Sequence, residues 1–217
     1  MDRTFPLFLK NIWESIKTGF VNLIDPFISF LIRMEINPNS LTTMGFGVSI
    51  FAGYFFAIGA LRIGAGLVLL SGIFDIMDGR IARGTNQVTR FGALYDSTLD
   101  RYAEIIIFIG LAYYFIGENK FLTSLISIIV LAGSLMVSYV RARAEGLGFS
   151  CKVGIMQRPE RIVTLGISAL IHEYVLIAGL FVLAVMTHYT AIQRIRYIWI
   201  QQNGEKNEIV TEFDKRD

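Results

Sequence analysis

Two stretches of this chain, Ser40–Leu61 and Phe121–Val140, run for about 20 residues each without one charged side chain. A hydrocarbon core of about 30 Å takes about 20 apolar residues of helix to cross, and inside it only helices and closed barrels satisfy their own backbone. These blocks predict a helical, polytopic membrane protein and argue against an ordinary water-soluble domain. Composition agrees: 53% of the 217 residues are hydrophobic and 18% charged, against about 25% charged in a soluble domain. A single cysteine, Cys151, excludes a disulfide scaffold. The net charge of +2 predicts no nucleic-acid partner, and the N-terminus shows no short basic-then-apolar leader.

The other apolar blocks carry charge or fall short. Ile63–Phe74 is too short alone and must continue through Asp75, Asp78, Arg80 and Arg83. Phe91–Ile116 holds Asp96, Asp100, Arg101 and Glu104 in its first half, then runs clean. Pro159–Ile171 and Tyr174–Gln193 are too long for one span, and His172–Glu173 is the natural turn between a short fifth helix and a full sixth. The expectation is an all-α protein with six transmembrane helices over residues 38–203, forming one domain. With both termini cytoplasmic, only Arg62 and Lys120 among the 20 Lys and Arg fall on the far side, as the positive-inside bias requires. The charged halves of spans two to five then enclose a polar cavity at the cytoplasmic end of a multi-pass protein of the plasma membrane.

Residues 1–37 differ in kind. Phe5, Phe8, Leu9, Ile12, Trp13, Ile16 and Phe20 recur at helical spacing with Lys10, Glu14 and Lys17 between them. This predicts an amphipathic helix lying in the interface rather than a seventh span. A break is expected at Asp25-Pro26, with Asp25 as cap. Gly204–Asp217 reads as a short charged tail.

Ionisable groups within membrane spans are costly and functional by default. Asp75 and Asp78 stand at i and i+3, Asp96 and Asp100 at i and i+4, so each pair shares one helical face. The connection Gly84–Arg90 is short, which makes the two helices antiparallel neighbours with their charged halves level. Four carboxylates that close cannot all stay ionised without cations. Oxygen donors without His or Cys favour Mg²⁺ or Mn²⁺, and two such ions would clamp a phosphoryl group. Arg83 is placed to hold a phosphate on the same ligand. Buried pairing with Arg80, Arg83, Arg90 and Arg101 is the structural alternative, but it would not need Gly79 and Gly92 beside the acids.

Read together, the residues form Asp75-x2-Asp78-Gly79-x2-Ala82-Arg83-x8-Gly92-x3-Asp96-x3-Asp100. This resembles the complete signature of the CDP-alcohol phosphotransferase family, with eight fixed positions over 26 residues. The Pro38-Asn39-Ser40-Leu41-Thr42 stretch, the six spans and the interfacial helix are similar to that family as well. The resemblance implies an integral-membrane homodimer that transfers a phosphatidyl group from a CDP-linked lipid to an alcohol and releases CMP. It implies Asp75, Asp78, Asp96 and Asp100 as ligands of two Mg²⁺ or Mn²⁺ ions per subunit, with Asp100 also the general base. Gly79, Ala82, Arg83 and Gly92 would line the site of CDP-diacylglycerol or a related CDP-lipid, with Asn39 and Thr42 near the cytidine.

The acceptor is argued from a second polar cluster. Arg141, Arg158 and Arg161, with Ser138, bracket the fourth loop at the level of the carboxylates and suit a phosphate dianion. A neutral or zwitterionic alcohol would not need them. The segments Ser138–Glu145 and Arg158-Pro159-Glu160-Arg161 are similar to the phosphatidylinositol-phosphate synthase branch, which implies inositol phosphate as the phosphorylated polyol. Arg141 stands where that branch often has Lys, and glycerol 3-phosphate is the runner-up. An ion-coupled transporter would predict inverted repeats or broken spans, and an intramembrane prenyltransferase two acidic motifs far apart; the sequence has neither. Glu104, one turn beyond Asp100, is assigned either to Arg101 or to packing.

Overall fold

The computed structural model describes residues 36–213, together with Gly19, Asp25, Pro26, Ile28 and residues 31–34, with side chains described as far as Asn203. From Pro38 onward the chain is a succession of helices: α1 (Pro38–Ala57), α2 (Leu61–Gly84), α3 (Arg90–Gly117), α4 (Phe121–Gly146), α5 (Arg158–Ile171) and α6 (Glu173–Phe213). No strand occurs among the described residues. The amphipathic helix expected over residues 1–37 lies mostly outside them; Asp25, Pro26, Ile28 and residues 31–33 are helical.

Local chemistry sets the boundaries. Asn37 accepts the Asn39 N–H on its side-chain oxygen at 2.9 Å, and Pro38 fills the first helical position of α1, where a missing N–H costs nothing. α1 stops at Ala57, short of the expected Leu61, because the chain turns through Gly59 at φ +81°. α2 gives way to a turn through Asn86 at φ +56°, a left-handed conformation that Asn tolerates. Thr89 then caps α3, its hydroxyl accepting the Gly92 N–H at 2.9 Å. His172 separates α5 from α6 in extended conformation. α6 runs on to Phe213, so helix enters the segment expected as a separate tail.

The chain divides into two compact units, one of residues 1–48 and 70–102, the other of residues 49–69 and 103–217. The first holds the charged halves of α2 and α3 and the start of α1. Its core is Ile28, Leu31, Leu41, Met77 and Ile81, with Ile32, Ile36, Ile73 and Phe74 against them. Met77, Arg80, Ile81 and Gly84 share the face of α2 turned away from Asp75 and Asp78. On that rear face Arg80 pairs with Asp25 at 2.7 Å, and a Cβ on Gly84 would meet Ile32 at 2.7 Å.

In the second unit, α4 and α5 both pack on α6. Its core draws on Phe56, Val68, Leu111, Phe115, Val130, Leu165, Leu176 and Leu183. α1 and α3 meet backbone to backbone here: a Cβ on Gly110 would lie 2.2 Å from the Gly53 carbonyl oxygen. Lys120 pairs with Glu173 at 2.5 Å.

Phe51, Tyr54, Tyr113, Leu122, Phe181 and Ile192 are all more than half exposed. Such an exterior suits lipid tails and not water. α1, α4 and the 173–203 stretch of α6 are each long and apolar enough to cross a membrane. α2 and α3 carry too much charge for that criterion, and the 14 residues of α5 make only about 21 Å of helix.

Candidate active site

The carboxylates do converge. One ligand oxygen from each of Asp75, Asp78 and Asp96 lies within 4.8 Å of the others. The i, i+3 step on α2 presents the first two together, and the turn 85–89 returns α3 so that Asp96 meets them. Asp78 is buried and accepts a hydrogen bond from the Thr42 hydroxyl at 2.7 Å. Asp100 lies outside this closest group, with its carboxylate 3.8 Å from Arg101. Three carboxylates this close repel one another unless a cation sits between them. An all-oxygen donor set is chemically suited to a hard divalent ion.

The glycines of the motif make room for side chains. The Arg83 guanidinium folds back over Gly79, 3.5 Å from where a Cβ would stand, and remains exposed. The Asn39 side-chain oxygen lies over Gly92, 3.2 Å from its notional Cβ. Thr43 donates to the Asn39 carbonyl at 2.8 Å and meets the Tyr95 hydroxyl at 3.0 Å. The start of α1 is thereby stitched to the start of α3. Of the residues expected near the cytidine, Asn39 faces Gly92, whereas the Thr42 hydroxyl is engaged by Asp78. Ala82 is half-buried on α2.

The second cluster belongs to the other unit. Ser138 donates to the Ser134 carbonyl at 3.3 Å, and the exposed Arg141 pairs with Glu145 at 2.8 Å. Arg158 opens α5. Arg161 is buried, pairs with Glu104 through Nη2, and donates from Nη1 to the Met156 carbonyl at 3.3 Å. Arg141 and Arg161 both lie in electrostatic range of Arg194.

Arg194 is a residue that sequence reasoning missed. It is buried and donates to the carbonyls of Val153 and Val137 at 2.8 and 2.5 Å, tying the connection before α5 to α4. Thr190, one turn earlier, accepts the Met156 N–H at 3.1 Å. The signal was there: Leu183, Thr187, Thr190 and Arg194 recur at helical spacing and all are buried.

The family model described as CDP-alcohol phosphatidyltransferase matches residues 35–193. The chain belongs to that family. Its sequence is 39% identical over 196 residues to the archaetidylinositol phosphate synthase of Methanothermobacter thermautotrophicus, covering 88% of this chain and 98% of that one. It is 30% identical to the phosphatidylinositol phosphate synthase of Mycobacterium tuberculosis, covering 84% and 88%. A crystal structure of the M. tuberculosis phosphatidylinositol phosphate synthase with CDP-DAG bound is similar at a TM-score of 0.73 and 31% identity, covering 80% of this chain and 92% of that chain. The same enzyme in complex with manganese and citrate gives 0.74, covering 80% and 88%. This CDP-alcohol phosphatidyltransferase is thus a membrane enzyme with an acidic site suited to divalent metal.

Proposed function

We propose that the protein transfers the phosphatidyl-type group of a CDP-linked glycerolipid, CDP-diacylglycerol or a related CDP-lipid, to a hydroxyl of inositol phosphate. The observation that carries this reading is the meeting of Asp75, Asp78 and Asp96 within 4.8 Å on two helices bearing the whole family motif. In it, divalent cations, two per subunit, supply charge neutralisation at the pyrophosphate and improve CMP as a leaving group. Asp75, Asp78 and Asp96 would hold them, with Asp100 available to the second. Arg83, exposed above Gly79, takes the pyrophosphate oxygens, while Ala82, Gly92 and Asn39 line the nucleotide.

Asp100 receives the proton of the acceptor hydroxyl as its oxygen bonds to the lipid-side phosphorus. The bond from that phosphorus to CMP breaks, giving phosphatidylinositol phosphate or its ether-lipid counterpart. Arg141 and Arg158, with Ser138, bind the acceptor phosphate, and the buried Arg161 completes the positive field. The inositol phosphate assignment is supported by these arginines and by the activities named for the archaeal and mycobacterial relatives. The same reading takes six spans, both termini and the site on the cytoplasmic side of the plasma membrane, and a homodimer.

The test is CMP release by the detergent-solubilised protein with Mg²⁺, a CDP-lipid and one acceptor at a time. Release with inositol phosphate but not glycerol 3-phosphate supports the proposal. Release only with glycerol 3-phosphate moves the acceptor and leaves the metal site intact, whereas no release with any acceptor overturns it.

A further inference from the structure

Glu104 and Arg161 are 7% and 3% exposed and form an ion pair through Oε1 and Nη2. Such a pair is a poor stabilising device, since apolar residues of like volume do as well or better. Its presence therefore calls for a positional explanation, and the neighbouring bonds supply one. The remaining Nη of Arg161 donates to the Met156 carbonyl, and the Met156 N–H donates to Thr190 on α6. Gln157 bonds back to the Gly154 carbonyl at 3.1 Å. Arg161 stands in the first turn of α5, whose first residue is Arg158. One carboxylate on α3 thus holds, through one guanidinium, both the end of the preceding connection and the beginning of α5.

We propose that Glu104 is a positioning residue for the acceptor: through Arg161 it fixes the first turn of α5 and so sets where Arg158 meets the acceptor phosphate. This rests on the acceptor reading above. Glu104 itself touches neither substrate. Its neutral isostere keeps the shape and removes the charge that seats Arg161. The guanidinium is then left in a buried place without its counter-ion, and the α5 start loses its fixed seat. Arg83 and the three clustered carboxylates belong to the other unit, so binding of CDP-lipid and metal is left unchanged.

Glu104→Gln is expected to raise the KM for inositol phosphate roughly tenfold or more, the scale on which misplacement of a positioned group acts. The KM for CDP-diacylglycerol and the Mn²⁺ affinity, read by electron paramagnetic resonance, stay within twofold. Glu104→Asp, which retains the charge, recovers part of the loss. In an Arg161→Met background Glu104→Gln has no further effect, because the carboxylate acts through that arginine. Should Glu104→Gln not fold, Glu104→Asp is measured alone, and calorimetric titration of inositol phosphate replaces turnover. An unchanged acceptor affinity, an equal loss for both substrates, or additive effects of the two substitutions would overturn the inference. Wild-type protein that releases no CMP with inositol phosphate would sink the underlying function instead.

Discussion

Gly110→Ala adds one methyl where α1 and α3 touch, and the structure lets its cost be worked out. In an open helix the same change stabilises by about 1 kcal/mol. At Gly110 the new Cβ falls 2.2 Å from the Gly53 carbonyl oxygen and 3.1 Å from its Cα, so it meets backbone that no rotamer change can move. Restoring ordinary contact requires the helices to part by about 1 Å, and overpacking of this kind costs about 1–3 kcal/mol. Set against the gain in helix propensity, the expected net effect is a loss of up to about 2 kcal/mol, a fall of up to about 8 °C in thermal midpoint at about 2–4 °C per kcal/mol for a chain of this length. Gly47→Ala, on α1 with nothing within 4 Å of its Cβ, is the matched control and is expected to raise the midpoint. The single, fully buried Cys151 supplies the assay: a fluorogenic maleimide reacts as heating unmasks it. A rise in midpoint for Gly110→Ala equal to that for Gly47→Ala would refute the close crossing.

Three further outcomes follow from the site and its surroundings. Asp100→Asn is expected to abolish transfer while CDP-lipid binding persists, checked by CMP release beside equilibrium binding; wild-type turnover would remove the general-base role. Thr42→Val deletes the hydroxyl that orients Asp78 at 2.7 Å and is expected to weaken Mn²⁺ binding about tenfold, as loss of a ligand's supporting partner does, read by paramagnetic titration. Burial pushes the Cys151 thiol above its ordinary value of 9.0, so the unreactive neutral form persists to higher pH than in a free cysteine. Alkylation of the folded protein should stay slow at pH 8–9, where unfolded chain reacts readily; equal rates would contradict the burial.

The two aspartate-bearing helices were readable in the sequence because their information is local. The i, i+3 and i, i+4 spacing of the aspartates decides which face they occupy, and His172 marks a helix end through chemistry within a few residues, whereas the caps at Asn37 and Thr89 came only with the structure. What could not be read is carried by separation in the chain. Thr42 and Asp78 are 36 residues apart, Arg194 and Val153 are 41, and Glu104 and Arg161 are 57. No periodicity reports such pairs, since the rotation of each helix against its neighbour decides them. Glu104 could be picked out as an unusual charge, but its partner depended on α5 returning to α3. The same limit applied to Thr42, whose place near the motif was legible while its bond to Asp78 was not.

One feature of α5 bears on the bilayer itself. As the proposed fifth span, α5 at about 21 Å would be about 9 Å shorter than a typical hydrocarbon slab. A bilayer meeting so short a segment must thin, or polar matter must occupy the remainder. The segment that is short also carries Arg158 and Arg161 in its first turn. Arg161 is already sealed against Glu104, so it is toward the half-buried Arg158 that water and headgroups would be drawn down. A small, strongly hydrated anion would then reach Arg158 without shedding its solvent in lipid, while a two-tailed molecule would arrive sideways through the leaflet. The membrane deformation would then be part of the working machine, and enzyme performance should vary with the thickness of the host bilayer.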